Sequence, residues 1–422
     1  MAKRVLNVFL REALVGWLEQ DDSGAARFQY SGEWLNSPAA VPLSASLPLR
    51  KDRFTRSEAR PFFAGVLPEE ESRRLIAQIF GISDKNDFAL LQRIGAECAG
   101  AVALLPQGEL PANAEPHYQK ITPAELAGKL SELPRRPLLA GEKRIRLSLA
   151  GAQGKLALKI HGGQMFLPLD GSPSSHILKP QNPHFEGLVE NEFFCMRLAS
   201  EAGLEMAKVE IGTAGDIRYL QVERYDRRWL PDGRLERIHQ EDFCQALGVA
   251  PELKYQQEGG PNLKKCFGMV RSVSTIPGPD LLRLFDAVVF NYLIGNCDAH
   301  GKNFSFLREG ASVRLAPFYD LVSTQAYPDL ANQMAMKIGG QRDPKRLMAR
   351  NWRVFFKEAE IGQAVALQRL RAINGRVMAA ATKLLSEGCL GSEKILPIIE
   401  GNHRLLESCD SMVSSAEPAR NS

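Results

Sequence analysis

The chain has 422 residues, 44% apolar and 24% charged, with a formal net charge of +4. That length exceeds one ordinary core and predicts two or three domains, and the composition excludes a disordered chain. The mild positive charge permits a nucleic-acid partner without requiring one. The seven cysteines (Cys98, Cys195, Cys244, Cys266, Cys297, Cys389 and Cys409) are odd in number and never spaced CxxC. That argues against a disulfide framework or a zinc finger and fits a reducing cytoplasm. Arg11 and Glu12 interrupt the apolar start, and no stretch approaches the ~18 consecutive apolar residues of a membrane span, so a cytoplasmic protein is expected.

In chain order, "VLNVFL" and "ARFQYS" read as strands separated by the turn "DDSG". Pro68 and Glu69 open a helix with Leu75, Ile76 and Ile79 on one face. Residues 1–108 are therefore expected to form a β-rich subdomain. The Pro-rich, polar run "LPQGELPANAEPHYQKITP" makes 109–140 a linker candidate. Next, "KLALKI" and "MFLPL" predict a hairpin around "HGGQ", and "SHILKP" a further strand ended by Pro180. A helix follows with Val189, Phe193 and Met196 on one face and Gly203 as its stop, then a second hairpin, "AKVEIG" and "RYLQVERY". After residue 239 the pattern turns helical. Residues 141–230 thus predict a strand lobe, 231–410 a helical lobe with a cleft between the two, and 411–422 a disordered tail.

The best-patterned helix ends in "GNCDAHGKNFSF". Leu281, Phe285, Val288 and Tyr292 recur at helical spacing, so a buried face delivers Asp298 into a loop. Asp298 and Asn303 have the spacing of a phosphotransferase loop, in which Asp accepts a hydroxyl proton and Asn binds magnesium. "LAPFYDLVST" supplies a second carboxylate, Asp320. The bland alternative is a helix cap and turn. A metal-hydrolase reading of Asp298 and His300 is weaker, because only His403 follows downstream.

In "SLAGAQGKLAL", Ala150, Gly151, Ala152 and Gly154 would let backbone N–H groups approach phosphate oxygens ahead of a strand; the alternative is a turn entering a hairpin. Lys179 ends an apolar strand, which is unfavourable unless it meets an anion such as a nucleotide phosphate or reaches solvent. Glu190 and Glu192 follow as partners. Two residues turn about 200° around a helix, so at most one faces the lysine. "VERYDR" ends the second hairpin where a kinase hinge would meet adenine.

Together "SLAGAQGK", "ILKP", "VENEFFCMRLA", "VERYDR", "KYQQEGGP", "DAHGKNFSF" and "FYDLVST" resemble the HipA serine/threonine-protein kinases of bacterial type II toxin–antitoxin modules, from "FFAGVLPEE" to about residue 390. The resemblance implies an α+β, two-lobed protein-kinase-like (phosphoinositide-kinase-like) fold with an N-terminal β-rich subdomain. It implies Asp298 as catalytic base and Asn303 and Asp320 as magnesium ligands. Ala150, Gly151, Ala152, Gln153, Gly154, Lys155 and Lys179 would hold ATP phosphates, and Glu223, Arg224 and Tyr225 the adenine edge. His300, Gly301, Lys302 and Tyr319 complete the implied nucleotide site, and Ser148 falls at the family's autophosphorylation serine. Implied partners are a HipB-like helix-turn-helix antitoxin, operator DNA, and an aminoacyl-tRNA synthetase substrate such as glutamyl-tRNA synthetase. Gly154 and Ala299 depart from the family, where an acidic residue and Arg are frequent. A small-molecule or lipid kinase and a catalytically silent corepressor scaffold are the competing readings; intact Asp298, Asn303, Asp320 and Lys179 oppose the scaffold.

Overall fold

Leu6, Val8 and Leu10 alternate along β1 (Arg4–Leu10) and point into a core, as period-two patterning requires. With β2 (Ala13–Gln20), β3 (Ala26–Tyr30) and β4 (Val102–Pro106) it forms a four-stranded antiparallel sheet in the order β3-β2-β1-β4. A six-stranded antiparallel sheet has the order β5-β7-β6-β8-β10-β9. It comprises β5 (His117–Ile121), β6 (Leu156–His161), β7 (Gln164–Leu169), β8 (His176–Pro180), β9 (Val209–Ala214) and β10 (Ile217–Glu223). A ribbon of β11 (Arg227–Trp229) and β12 (Leu235–Arg237) follows, then a three-stranded sheet of β13 (His239–Asp242), β14 (Ser305–Glu309) and β15 (Ser312–Leu315).

The computed structural model describes residues 4–112, 115–151 and 153–414. All the strands above belong to one unit, formed by Met1–Gln181, Lys208–Glu252 and Ser305–Ala316; the second, helical unit is Asn182–Ala207, Leu253–Phe304 and Pro317–Ser422. In the second unit the helix Pro277–Leu293 packs against Leu263–Val273, Gln363–Ser386 and Ser392–Ser414. Phe285, Val289, Phe290 and Leu293 are fully buried on it.

The division differs from the sequence-based one in four places. The supposed linker carries β5 and the helix Pro123–Glu132, whose Leu126 and Leu130 join Ile121 and Leu133 in the core shared by the first two sheets. Polar and proline residues dominate its composition, yet these apolar side chains, with Leu138, Leu139 and Ala140 just after them, dock it into the core. The helix Leu188–Glu201, grouped by sequence with the strand lobe, packs in the helical unit against Gln363–Ser386. Residues 239–252 and 305–316, expected in the helical lobe, supply β13–β15 to the strand unit. The last helix runs to Ser414, into the stretch read as tail; 415–422 lie outside the described residues. Ile79, expected on a buried face, is 39% exposed, whereas Ile76 is buried.

If residues 123–132 are part of the core, Leu130→Ala will destabilise the protein by about 2–5 kcal/mol. Urea unfolding measures it; a change near zero would restore the linker.

Candidate active site

The helix Pro277–Leu293 stops because Gly295 takes φ +68°, a left-handed conformation that glycine adopts without strain. Gly295 N–H then donates to Tyr292 O (3.1 Å) and Asn296 N–H to Asn291 O (2.9 Å), satisfying the last carbonyls. A Cβ at Gly295 would lie 2.6 Å from Gln325 Oε1. The Asn296 side chain works in both directions. Its Nδ2 donates to Asn291 Oδ1 (2.7 Å), and its Oδ1 accepts the backbone N–H of Asp298 (3.0 Å). Asp298 is thereby fixed to a buried helix while its carboxylate is exposed. Tyr255 OH donates to Asp298 Oδ1 at 2.7 Å, and the Tyr255 ring stands edge-on to His300, 5.3 Å between centroids.

Past Asp298, His300 N–H donates to the Asp298 carbonyl (2.7 Å) and a short turn, Gly301–Asn303, follows. His300, Lys302 and Asn303 are buried. Asn303 Nδ2 donates to Asp320 Oδ2 at 3.1 Å. Tyr319 OH donates to Lys302 O (2.7 Å), and Phe318 pairs with Met206 through bonds to Glu205 and Ala207. Asp320 has φ +59°, unusual for a residue with a Cβ. Immediately beyond, the Asn191 side chain clamps Ser323, accepting its N–H (2.8 Å) and donating to its carbonyl (3.0 Å). Thr324 Oγ1 accepts from Cys297 N–H (2.8 Å) and donates to Gly295 O (3.1 Å). The segments bearing Asp298 and Asp320 are therefore bonded to each other on both sides of the carboxylates. Burial pushes the Cys297 thiol up to about 11, so this neighbour of Asp298 is no thiolate nucleophile.

The helical unit thus brings together Asp298, His300, Gly301, Lys302, Asn303, Tyr319 and Asp320. Sequence reasoning missed Tyr255, Asn296, Asn191 and Thr324. Tyr255 lay inside the quoted "KYQQEGGP", but nothing in its spacing announced a bond to residue 298. Asp320 offers magnesium a carboxylate, whereas Asn303 faces that carboxylate with Nδ2 while Asn303 Oδ1 accepts the His300 N–H (3.3 Å), so the amide must turn its oxygen toward Asp320 for the two to hold the ion together.

In the strand unit, Gly151 has φ +100° and Lys155 Nζ donates back to Ala150 O at 2.6 Å, so the lysine closes its own loop. A Cβ at Gly154 would meet nothing within 4 Å, whereas one at Gly151 would lie 2.6 Å from Lys155 Nζ. Gln153 is half-buried, and Ala152 lies outside the described residues. Lys179 ends β8 opposite Leu220 of β10 and is 8% exposed, so it is buried and does not simply reach solvent. In the helical unit Glu192 is buried and Glu190 half-buried. Ser148 is fully buried, its Oγ donating to Val66 O (2.8 Å) and its N–H to Glu97 O (2.8 Å).

Two backbone donors of the expected hinge are already engaged. The N–H of Glu223 donates to Lys208 O (2.8 Å) and that of Arg224 to Ser175 O (2.9 Å), so neither donor is open to a base. The Arg224 side chain is buried in an ionic cluster with Glu97, Asp226 and Arg227. Tyr225 is half-buried beside it.

Residues 147–384 match the HipA-like C-terminal domain and residues 6–105 the HipA N-terminal domain. Y4mE of Sinorhizobium fredii is 48% identical over 391 residues, 92% of this chain and 93% of that protein. The serine/threonine-protein kinase toxin HipA of Shewanella oneidensis is 31% identical over 437 residues, 98% of this chain and 97% of that protein. In the solved complex of Shewanella oneidensis HipA with HipB and operator DNA, a chain matches with a TM-score of 0.85 and 29% identity, covering 98% of this chain and 100% of that one. Sequence and fold agree along the whole length, and the chain belongs to the HipA family of kinase toxins.

Proposed function

We propose that this protein is an ATP-dependent serine/threonine-protein kinase of the cytoplasm. It acts on a protein substrate, an aminoacyl-tRNA synthetase such as glutamyl-tRNA synthetase, and so arrests translation and growth. The observation that carries the reading is the Asp298–Asn303–Asp320 arrangement, with Asn303 Nδ2 3.1 Å from Asp320 Oδ2 and Asp298 held apart by Tyr255 and Asn296. ATP would be the phosphoryl donor, and Asp320 and Asn303 would hold the magnesium that offsets phosphate charge. Asp298 accepts the proton of the substrate hydroxyl. Tyr255 aims that carboxylate, and Asn296 keeps its backbone from drifting. Lys179 and the loop Ala150–Lys155 serve the phosphates. A HipB-like helix-turn-helix antitoxin neutralises the enzyme, and the pair represses its own operator; the likeness to HipA crystallised with HipB and operator DNA supports these partners.

Removing the general base should slow transfer by about 10²–10⁴-fold, so Asp298→Asn will abolish labelling of protein by radiolabelled ATP while nucleotide binding and melting temperature stay unchanged. Asp320→Asn will fail differently, losing magnesium-dependent ATP affinity. Near-native labelling by the first, or unchanged affinity in the second, would remove that residue from its role.

Tyr255→Phe removes the hydroxyl that bonds the reacting carboxylate and keeps the ring. It should lower kcat about tenfold with the KM for ATP unchanged. A raised KM with full kcat would place Tyr255 in nucleotide binding instead.

Ser148 supports a self-limiting switch. A phosphate there adds about −1.5 to −2 charges and three oxygens to a side chain that is fully buried. The hydroxyl must leave Val66 O and the segment come out before it can be phosphorylated, and the phosphate would then keep the segment out and spoil the loop that attracts ATP. Incubation with ATP and magnesium should therefore yield phosphoserine at 148 and protein that binds ATP poorly. Mass spectrometry and nucleotide titration of the same sample check it; phosphorylated protein with full ATP affinity overturns the switch.

A further inference from the structure

Glu97 follows the helix Asp87–Ile94 in the N-terminal region, far in sequence from every residue assigned above, and is 1% exposed. Its carboxylate accepts from Arg224 Nη1 (3.0 and 3.2 Å), Arg227 Nη2 (2.6 Å) and the Ser174 hydroxyl (3.2 Å). Burial opposes its ionisation, but the guanidiniums of Arg224, Arg227 and Arg237 outweigh burial and hold the carboxyl below its usual range. Asp226 completes the cluster, accepting from Arg224 Nε (2.9 Å) and Nη2 (2.8 Å) and from Gly100 N–H (2.6 Å). Arg224 and Arg227 also donate to the Cys98 carbonyl, at 3.1 and 3.0 Å. The backbone of Glu97 meanwhile faces another segment: its N–H donates to Arg146 O (3.1 Å) and its carbonyl accepts from Ser148 N–H (2.8 Å).

One residue therefore grips two runs that adjoin the stretches the sequence points to for nucleotide. Its side chain holds the residues that follow β10, and its main chain holds the entry to the glycine-rich loop. We propose that Glu97 is a positioning residue for ATP, setting the spacing between the 146–148 segment and the 224–227 segment. The N-terminal region, which carries no candidate catalytic group, would thereby contribute directly to nucleotide affinity. The inference rests on the kinase reading.

Glu97→Gln keeps the shape and discharges the group, leaving Asp226 alone among three guanidiniums. Loss of the spacing should raise the KM for ATP about tenfold while kcat at saturating ATP stays within about twofold, because Asp298 and its supports are untouched. The double variant Glu97→Met/Arg227→Met removes one charge of each sign and fills the space with apolar atoms, which restores charge balance. It should melt near wild type yet keep the weak ATP affinity. A double variant that folds and binds ATP as wild type does would make Glu97 merely structural and overturn the proposal, as would a wild-type KM in Glu97→Gln. Should neither variant fold, hydrogen–deuterium exchange of the wild-type protein decides: ATP must slow exchange at 146–149 and 224–227 together, and protection of one segment alone overturns the coupling. A wild-type protein that bound no ATP would overturn the kinase reading, and this inference with it.

Discussion

Irregular backbone is rigid only when something other than a helix or strand takes its hydrogen bonds, and every candidate catalytic group of the helical unit sits on irregular backbone. Asn191, Asn291, Asn296 and Thr324 meet that requirement with short polar side chains. Each donates and accepts; the three asparagines are buried and Thr324 is half-buried. An unmade bond at such a place would cost about 1–3 kcal/mol, so the loops have one well-determined conformation despite lacking regular structure. Rigidity matters here because phosphoryl transfer is catalysed chiefly by positioning and electrostatics.

The strand unit meets a different constraint, the burial of charge. Glu97 and Asp226 stand against Arg224, Arg227 and Arg237, all almost wholly out of water. Three cations against two anions leave the cluster positive, and burial brings Arg237 down to about 10. Deleting one partner of such a set typically costs about 3–5 kcal/mol, far more than any surface pair contributes. The cluster is thus a costly device for stability alone, and its value lies in fixing which chain segments lie side by side. Ser148, fully buried next to it, shares that fixed geometry.

The sequence displayed what periodicity and local spacing can display. The helix Pro277–Leu293, the hairpins β6–β7 and β9–β10, and Lys179 at the end of β8 were legible because burial on a regular element repeats every two or every three to four residues. Asp298, Asn303 and Asp320 could be singled out because a phosphotransferase loop imposes a spacing, and the structure places the three on neighbouring segments. The supports could not be singled out this way. Tyr255 meets a residue 43 positions away, and Glu97 meets partners 127 and 130 positions away. Such bonds leave no period, and a buried arginine such as Arg224 has the same letter as one that faces a ligand. Composition misled in the stretch 109–140, where Pro and polar residues outnumber the apolar ones that dock it.

Asp320 shows how the supports and the chemistry meet. A left-handed conformation costs a residue with a Cβ about 1–2 kcal/mol, less for aspartate than for most. Strain of that size persists only where the surroundings over-determine it. Before Asp320, Tyr319 is tied to Lys302 and Phe318 to the Glu205–Ala207 segment. After it, Ser323 is tied to Asn191 and Thr324 to Gly295. Bonds on both flanks leave the backbone no route to relax, and the strained turn presents the carboxylate to Asn303. An extended backbone at residue 320 would swing the side chain away from that partner. The strain is therefore the local consequence of requiring an amide and a carboxylate, carried on different segments, to face one point.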